Sequence, residues 1–286
     1  TMQTPSSRYL AMSNGNRLNI QSQINYSTSL NKRHNFNIMA LFETLKEWSD
    51  NGSMSREYQI YTKPIIDFGV ENNLKNAGSY SESANLSYLG KLNYDYRGKY
   101  MLEAAFRYNG TYGFAKDKRW VFLPLMSAGW RLSEEPFVQN SLPFVTNLKL
   151  RGSYGESGYD GAARYQYLDA FSLTSGGYIY EFQDGIGTNG VRVPGLTNKN
   201  LTWTKSKMYD LGIDATLWNG LLDVVFDVYR RDMIGIPATP PEEITNTFGA
   251  SIPQENLDAN RTLGIEFTLG HQNKINEFRY GIQGNF

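Results

Sequence analysis

The chain has 286 residues, with 28 basic and 28 acidic side chains and no cysteine. That balance excludes a broad basic field of the kind that draws a protein to nucleic acid, and the missing thiols exclude disulfides and Cys-ligated metal centres. Aromatic residues make up 14% of the chain and charged residues only 20%, a composition suited to sheets whose aromatic tips lie at a wet boundary.

No run approaches the roughly 18 apolar residues of a membrane helix. Thr1-Met2-Gln3-Thr4 lacks the basic and apolar regions of an export signal, so the expectation is a protein that is not exported or an internal piece of a longer one. Residues 1–16 are polar, contain Pro5 and Asn14-Gly15-Asn16, and read as loop. From Arg17 to Leu30, Leu18, Ile20, Ile24 and Tyr26 alternate with Asn19, Gln21, Gln23 and Asn25, the period of two that marks a strand. A turn over Asn31–Asn35 leads to a second strand, Phe36–Glu47, with Phe36, Ile38, Ala40 and Phe42 on one face. Residues 48–83 show no sustained period and read as a long loop.

The stretch Ala84–Glu135 organises the rest. Leu86, Tyr88, Gly90, Leu92, Tyr94 and Tyr96 share a face, and across Arg97-Gly98-Lys99 the pattern resumes with Tyr100, Leu102, Ala104, Phe106 and Tyr108. A third run, Trp120–Leu132, makes this a meander of long antiparallel strands. A Pro-punctuated connection, Glu134–Phe144, precedes a strand over Thr146–Ser157, where Leu148, Leu150 and Tyr154 oppose Lys149, Arg151 and Ser153. Then comes a Gly- and Tyr-dense loop over Gly158–Thr202, about 45 residues, a length that counts against a compact soluble domain. Strands Trp203–Trp218 and Leu221–Ile234 meet at Asn219-Gly220, a strong hairpin signal. After a Pro-rich loop over Gly235–Glu255, strands Asn256–Gly270 and Asn276–Phe286 flank a short turn at His271–Ile275.

These connections alternate between short and long, apart from a near-tie midway. In an up-and-down sheet alternate connections return to one edge, so one edge carries tight turns and the other large loops, the asymmetry of an outer-membrane barrel. The strands run about 11–16 residues, against the usual 5 or 6. All five tryptophans, Trp48, Trp120, Trp130, Trp203 and Trp218, fall at or near predicted strand ends and read as membrane-girdle aromatics. Trp120 and Trp130 share a face, and their spacing corresponds to about 24 Å along the membrane normal, near the height of an apolar band. Trp218 has the wrong parity for the apolar face of its strand.

The same stretches carry a resemblance to a known family. Tyr96-Arg97-Gly98-Lys99-Tyr100, Arg107–Gly110, Arg119-Trp120, Ser127–Glu135, Leu148–Gly155, Leu201–Leu217 and Arg261–Phe267 occur in the order seen in the SusC/RagA family, the TonB-dependent outer-membrane nutrient transporters of Bacteroidetes. The chain departs from the usual pattern at Asn109, Thr204 and Asp210, where the family commonly has Asp, Glu and Asn, and in Thr111–Phe114. The resemblance implies an all-β, antiparallel up-and-down transmembrane barrel segment: residues 1–286 would form about ten strands of a barrel of roughly 22. The plug domain and C-terminal strands would be absent from it. It further implies import of oligosaccharides or peptides, a SusD-like surface lipoprotein as partner, and TonB-ExbB-ExbD engaged through regions not in this chain. No cofactor is implied.

Chemistry-bearing residues are few. His34 and His271 fall in predicted turns without acidic partners at ligand spacing, so they read as solvated turn residues rather than metal or catalytic groups. Gly152-Ser153-Tyr154-Gly155-Glu156-Ser157-Gly158 lacks the strand-turn-helix context of a nucleophile elbow or phosphate loop and reads as a strand end. The carboxylates opposite the apolar faces read as a solvated lumen wall. Neither catalytic residues nor an enzyme activity is expected. Tyr159, Tyr165, Tyr167, Tyr178 and Tyr180, with Phe171 and Phe182, lie in the longest loop and are the ligand-binding candidates, since aromatic rings stack on sugars or pack on peptide side chains. The alternative is that they pack the loop against itself or a partner. Two other classes remain open: a passive porin and a soluble carbohydrate-binding β-sandwich.

Overall fold

The computed structural model describes residues 6–58, 65–69, 74–173, 179–183, 186–189, 191–192, 195–241 and 250–286. Its first six strands are β1 (Ser6–Leu30), β2 (His34–Tyr58), β3 (Lys75–Tyr96), β4 (Tyr100–Thr111), β5 (Trp120–Arg131) and β6 (Val145–Tyr159). Four short strands follow, β7 (Ser172–Leu173), β8 (Ile179–Gln183), β9 (Ile186–Asn189) and β10 (Val191–Arg192), then β11 (Thr204–Leu217), β12 (Leu222–Ala238), β13 (Glu255–Ile275) and β14 (Phe278–Asn285). The long strands form one 10-stranded sheet in the order β1-β2-β3-β4-β5-β6-β11-β12-β13-β14, while β7 pairs with β10 and β8 with β9. Every sheet neighbour follows in chain order once the long loop between β6 and β11 is passed over. This is up-and-down topology.

Two compact units are distinguished, one made of Thr1–Gln21 and Glu43–Leu86, the other of Ser22–Phe42 and Ser87–Phe286. In the second unit the register aligns the apolar residues in rows. Gly152, Leu211, Val228 and Ile265 are successive partners across β6, β11, β12 and β13, and the next row is Leu150, Ile213, Phe226 and Phe267. These rows face outward: Leu211 is 69% exposed, whereas Asp227, on the opposite face of β12, is 9% exposed. A soluble protein inverts that order, so the apolar rows are a lipid-facing belt and the charged face is lumenal. Among the described residues no second sheet covers the belt, as a β-sandwich would require.

Ile213 lies midway along β11 with Leu150 and Phe226 as its cross-strand partners. An Ile213→Arg substitution is expected to cost about 2–4 kcal/mol, the range for a cation on the lipid face near the bilayer midplane. The same change at Ser127, on the opposite face of β5, should cost far less. Equilibrium unfolding in lipid vesicles measures both.

Several predicted loops are strand. Residues from Ser6 onward belong to β1, β2 continues through Tyr58, and β3 begins at Lys75, so most of the predicted 48–83 loop is paired. Within the first unit cross-strand hydrogen bonds join Ser13 to Asn51 at 2.6 Å and Ser49 to Ser81 at 2.7 Å, and an ion pair joins Lys46 to Glu82 at 2.7 Å. Such strands pair through backbone and polar side chains and present no apolar face, so periodicity does not reveal them. The turn predicted at His271–Ile275 lies inside β13, and the chain reverses instead at Asn276, whose φ is 54°. Likewise β12 runs past Ile234 to Ala238.

At the turn edge, Arg97 and Gly98 both have positive φ, 54° and 66°, and the Gly98 N–H donates to Asp95 Oδ1 at 3.0 Å. The predicted Asn219-Gly220 hairpin is a tight 3-10 turn over Trp218–Gly220, with Trp218 and Asn219 both left-handed. The connection after β5 holds a 3-10 turn, Leu132–Glu134, and helix α1 (Pro136–Ser141), which starts on a proline whose missing N–H would be unpaired there anyway.

Candidate functional site

The lumenal face is built by the residues that alternate with the belt. Arg151 of β6 projects there between Asp210 and Asp214 of β11 and Asp227 of β12. Its Nη1 donates to Asp210 at 3.2 Å, its Nε to Asp214 at 3.1 Å and its Nη2 to Asp227 Oδ2 at 2.7 Å. One planar guanidinium thus satisfies three carboxylates on two strands, which its fork of donors allows and a lysine would not. Gly212 makes the room: a Cβ there would stand 2.2 Å from Asp227 Oδ1 and 2.6 Å from Arg151 Cζ. Elsewhere on this face Lys91 pairs with Glu103 at 2.7 Å, and Arg107 donates to Asn109 at 2.8 Å. Among the described residues no group of His, Asp or Glu side chains is arranged to hold a metal ion.

At the loop edge of this face the chain builds its only apolar core among the described residues: Phe114, Val121, Leu123, Ala162, Leu201 and Trp203. Val121 and Leu123 have lumenal parity on β5, so the long loop folds back onto the inner wall. Trp203 is 7% exposed, donates from Nε1 to the Arg119 carbonyl at 2.9 Å and meets Phe114 edge-on at 5.9 Å. It is therefore a buried latch and not the girdle aromatic predicted, because it ends the loop just before β11 begins. Asn256 at the start of β13 completes the cap. Its side chain accepts from Thr202 N–H at 2.8 Å and donates to the carbonyls of Thr202 and Gly235 at 2.9 and 2.7 Å. Gln166 and Gln254 exchange further bonds, and Asn198 Nδ2 donates to the Gln254 carbonyl at 2.6 Å. The three connections 112–119, 160–203 and 239–254 are thus stitched together at residues of each.

Of the tyrosine candidates, Tyr159 ends β6 and is 67% exposed, against Gly161. Tyr165 and Tyr167 are half-buried with ring centroids 6.4 Å apart, and the Tyr167 hydroxyl donates to the Tyr112 carbonyl at 3.3 Å. Phe171 is exposed. Tyr180 and Phe182 belong to β8, and Tyr178 lies outside the described residues. Sequence reading missed Tyr112, an exposed ring with the Arg119 guanidinium 4.7 Å above it, and Asn256, whose amide ties Thr202 at the end of the long loop to Gly235 of β12. Nothing in a polar loop singles out such residues before the loops are brought together.

Trp120 stacks on Tyr108 at 4.7 Å and Trp130 on Tyr100 at 6.2 Å, one pair at each end of β5. Trp48 lies well inside β2, with the Lys46 ammonium 5.8 Å from its ring, because that strand continues ten residues beyond it. Trp218 sits in the 3-10 turn and stacks on Phe144. The histidines are strand residues rather than turn residues: His34 opens β2 and shares a hydrogen bond with the Tyr94 hydroxyl at 2.9 Å, and His271 lies in β13 beside the Tyr280 hydroxyl at 3.2 Å. Both belong to aromatic clusters at the turn edge.

Below Trp130 the Glu135 carboxylate accepts from the Tyr100 hydroxyl at 2.6 Å, the Trp130 indole at 3.0 Å and the Lys99 ammonium at 3.2 Å. Its side chain is 12% exposed. The Tyr100 hydrogen bond first, then those from Trp130 and Lys99, hold its pKa below the ordinary glutamate value. A depressed folded-state pKa stabilises the fold above the unfolded value, and that contribution is lost as pH falls through the folded value. The Tm difference between the protein and its Glu135→Gln variant should therefore be full at neutral pH and vanish at strongly acidic pH.

Residues 3–286 match the family described as TonB dependent receptor-like, beta-barrel. The chain is 30% identical over 209 residues to TonB-dependent receptor P3 of Formosa agariphila, covering 72% of this chain and 20% of that protein. It is 28% identical over 185 residues to TonB-dependent receptor SusC of Bacteroides thetaiotaomicron, covering 64% and 18%. The chain thus spans about a fifth of the length of these curated relatives. Among solved structures it is similar to the RagAB peptide importer in its closed-closed state, with a TM-score of 0.83 over 98% of this chain and 31% of that one at 17% identity, a likeness of fold. The resemblance read from the motifs between Tyr96 and Phe267 is borne out. Membrane strands, tight turns at one edge and this match along the sequence lead to one conclusion: the chain belongs to the TonB-dependent receptor-like β-barrel family of the outer membrane.

Proposed function

We propose that this chain is a wall of an energised importer that captures an oligosaccharide or peptide at its loop cap and releases it inward when a plug is displaced. The observation that carries this reading is the cap itself, three loop-edge connections hydrogen-bonded together over a buried cluster on the lumenal face. A stitched cap gives a ligand a preorganised surface, which lowers the entropic cost of capture. Tyr159, Tyr165, Tyr167, Tyr178 and Tyr180 are the proposed contacts. A SusD-like lipoprotein closes over them from outside, and TonB-ExbB-ExbD acts through segments outside this chain. The outer edges of β1 and β14 each lack a sheet neighbour among the described residues, which fits ten strands of a barrel of roughly 22. The work is binding and gating, with no covalent step and no enzyme activity.

Cells expressing the full-length protein should accumulate members of a panel of labelled oligosaccharides and oligopeptides, and a protonophore should abolish that accumulation. Accumulation that persists without the proton gradient would identify a passive porin and sink this reading.

A further inference from the structure

Above the belt on its lipid-facing parity lies a row of alternating charge. Glu156 of β6, Lys207 of β11, Asp232 of β12 and Arg261 of β13 are successive cross-strand partners. The row beneath it is Tyr154, Tyr209, Arg230 and Leu263, and the row beneath that is Gly152, Leu211, Val228 and Ile265, which is apolar. Charge therefore gives way to aliphatic side chains within two steps on β11, β12 and β13, passing through Tyr209, Arg230 and Leu263. From Lys207 to the end of β11 at Leu217 the rise is about 24 Å at the usual strand tilt, matching the height of a membrane barrel's apolar band. The charged row thus stands at the loop-side boundary of the bilayer, where the headgroups of the outer leaflet lie.

The ion pairs within the row leave cationic capacity over. Glu156 is shared between Lys205 at 3.5 Å and Lys207 at 3.8 Å, and Asp232 between Arg230 at 2.7 Å and Arg261 at 2.6 Å. Four cations thus face two carboxylates. The two lysine contacts are long, and the arginine side chains are 44% and 59% exposed with guanidinium donors to spare. Arg230 also lies 5.9 Å from the Tyr209 ring, which holds its head at the level of the aromatic row. Fixed cations beside an aliphatic wall suit a ligand that is anionic at one end and a hydrocarbon below it.

We propose that this four-strand face binds the phosphate-bearing headgroup of an outer-leaflet lipid, with Lys205, Lys207, Arg230 and Arg261 on the phosphate and the Leu211, Val228 and Ile265 row on the acyl chains. Glu156 and Asp232 hold the cations apart and in register. Arginine pairs with phosphate through two parallel hydrogen bonds, so the arginines set orientation and the lysines add charge.

The test is titration of bisphosphorylated lipid A, and separately of its dephosphorylated form, into the detergent-solubilised full-length protein. Removing both charges in Lys207→Gln/Arg261→Gln should weaken binding of the phosphorylated lipid about five-fold per cation, roughly 25-fold in all. Binding of the dephosphorylated form should not change between the two proteins. The charge-keeping Lys207→Arg/Arg261→Lys variant should lose far less affinity than the double Gln variant, which separates lost charge from a misfolded wall, and Lys91→Gln on the lumenal face should have no effect. Equal binding by the double Gln variant would make the row an internal ion ladder and overturn the proposal. So would an equal loss for the dephosphorylated lipid, or displacement of the lipid by inorganic phosphate.

Discussion

Replacing Arg151 by Met is expected to destabilise the barrel wall by about 2–4 kcal/mol, because it leaves three carboxylates facing one another with no cation between them. The figure is set about 1 kcal/mol below the range of roughly 3–5 kcal/mol for breaking a buried ion pair, since Arg151 is 31% exposed and the lumenal face is partly wet, so solvent screens some of the repulsion. Asp227 should dominate the loss: it is the most covered of the three, at 13% side-chain exposure, and it lies at the shortest distance from the guanidinium. An Arg151→Lys variant keeps the charge but has no fork to reach two strands, and should fall between the two. The double variant Arg151→Met/Asp227→Leu should recover part of the stability, as an ion pair replaced by apolar groups does. Thermal unfolding of the purified proteins in one detergent decides among these. If Arg151→Met unfolds with the parent's Tm, the three aspartates are held by something other than this arginine.

Trp203→Ala is expected to cost about 3–5 kcal/mol at the loop edge, the range for emptying a large aromatic site in a packed core. The loss should be local. Trp203 joins the end of the long loop to Phe114 and to the Arg119 carbonyl, whereas the ten long strands pair without it. Limited proteolysis should then cut within residues 160–203 at least a hundred-fold faster, following the larger population of the open cap, while the strand scaffold keeps its melting temperature. Trp203→Phe should retain most of the packing and lose about 1 kcal/mol with the indole hydrogen bond. Capture of ligand would suffer in Trp203→Ala more than in Trp203→Phe, since the cap is preorganised by packing first. Unchanged cleavage in Trp203→Ala would show that Asn256 and the Gln166–Gln254 exchange suffice to hold the cap.

Asp210 links these residues to the family motif. It stands where an Asn is commonly found, and here it brings a third carboxylate to Arg151. The alternation of Leu148, Leu150 and Tyr154 with Lys149, Arg151 and Ser153 already assigned Arg151 to the polar face. That it gathers aspartates from two further strands, over a glycine that leaves the space, depends on register.

Alternation and composition by themselves determined the strands that carry an apolar face, their up-and-down order and the membrane environment, because a lipid-facing strand must show period two wherever its other face is polar. The same logic was silent over residues 6–16, 48–58 and 75–83. Those residues are strand as well, but without an apolar face they leave no periodic mark. Tertiary structure alone decided that Trp203 is buried, that Asn256 and Gln254 hold the loops, and that Glu156, Lys207, Asp232 and Arg261 fall in one row. Each of these facts joins residues far apart in the chain through strand register or loop packing, and register is set by pairing across the sheet, which a pattern local to one strand does not contain.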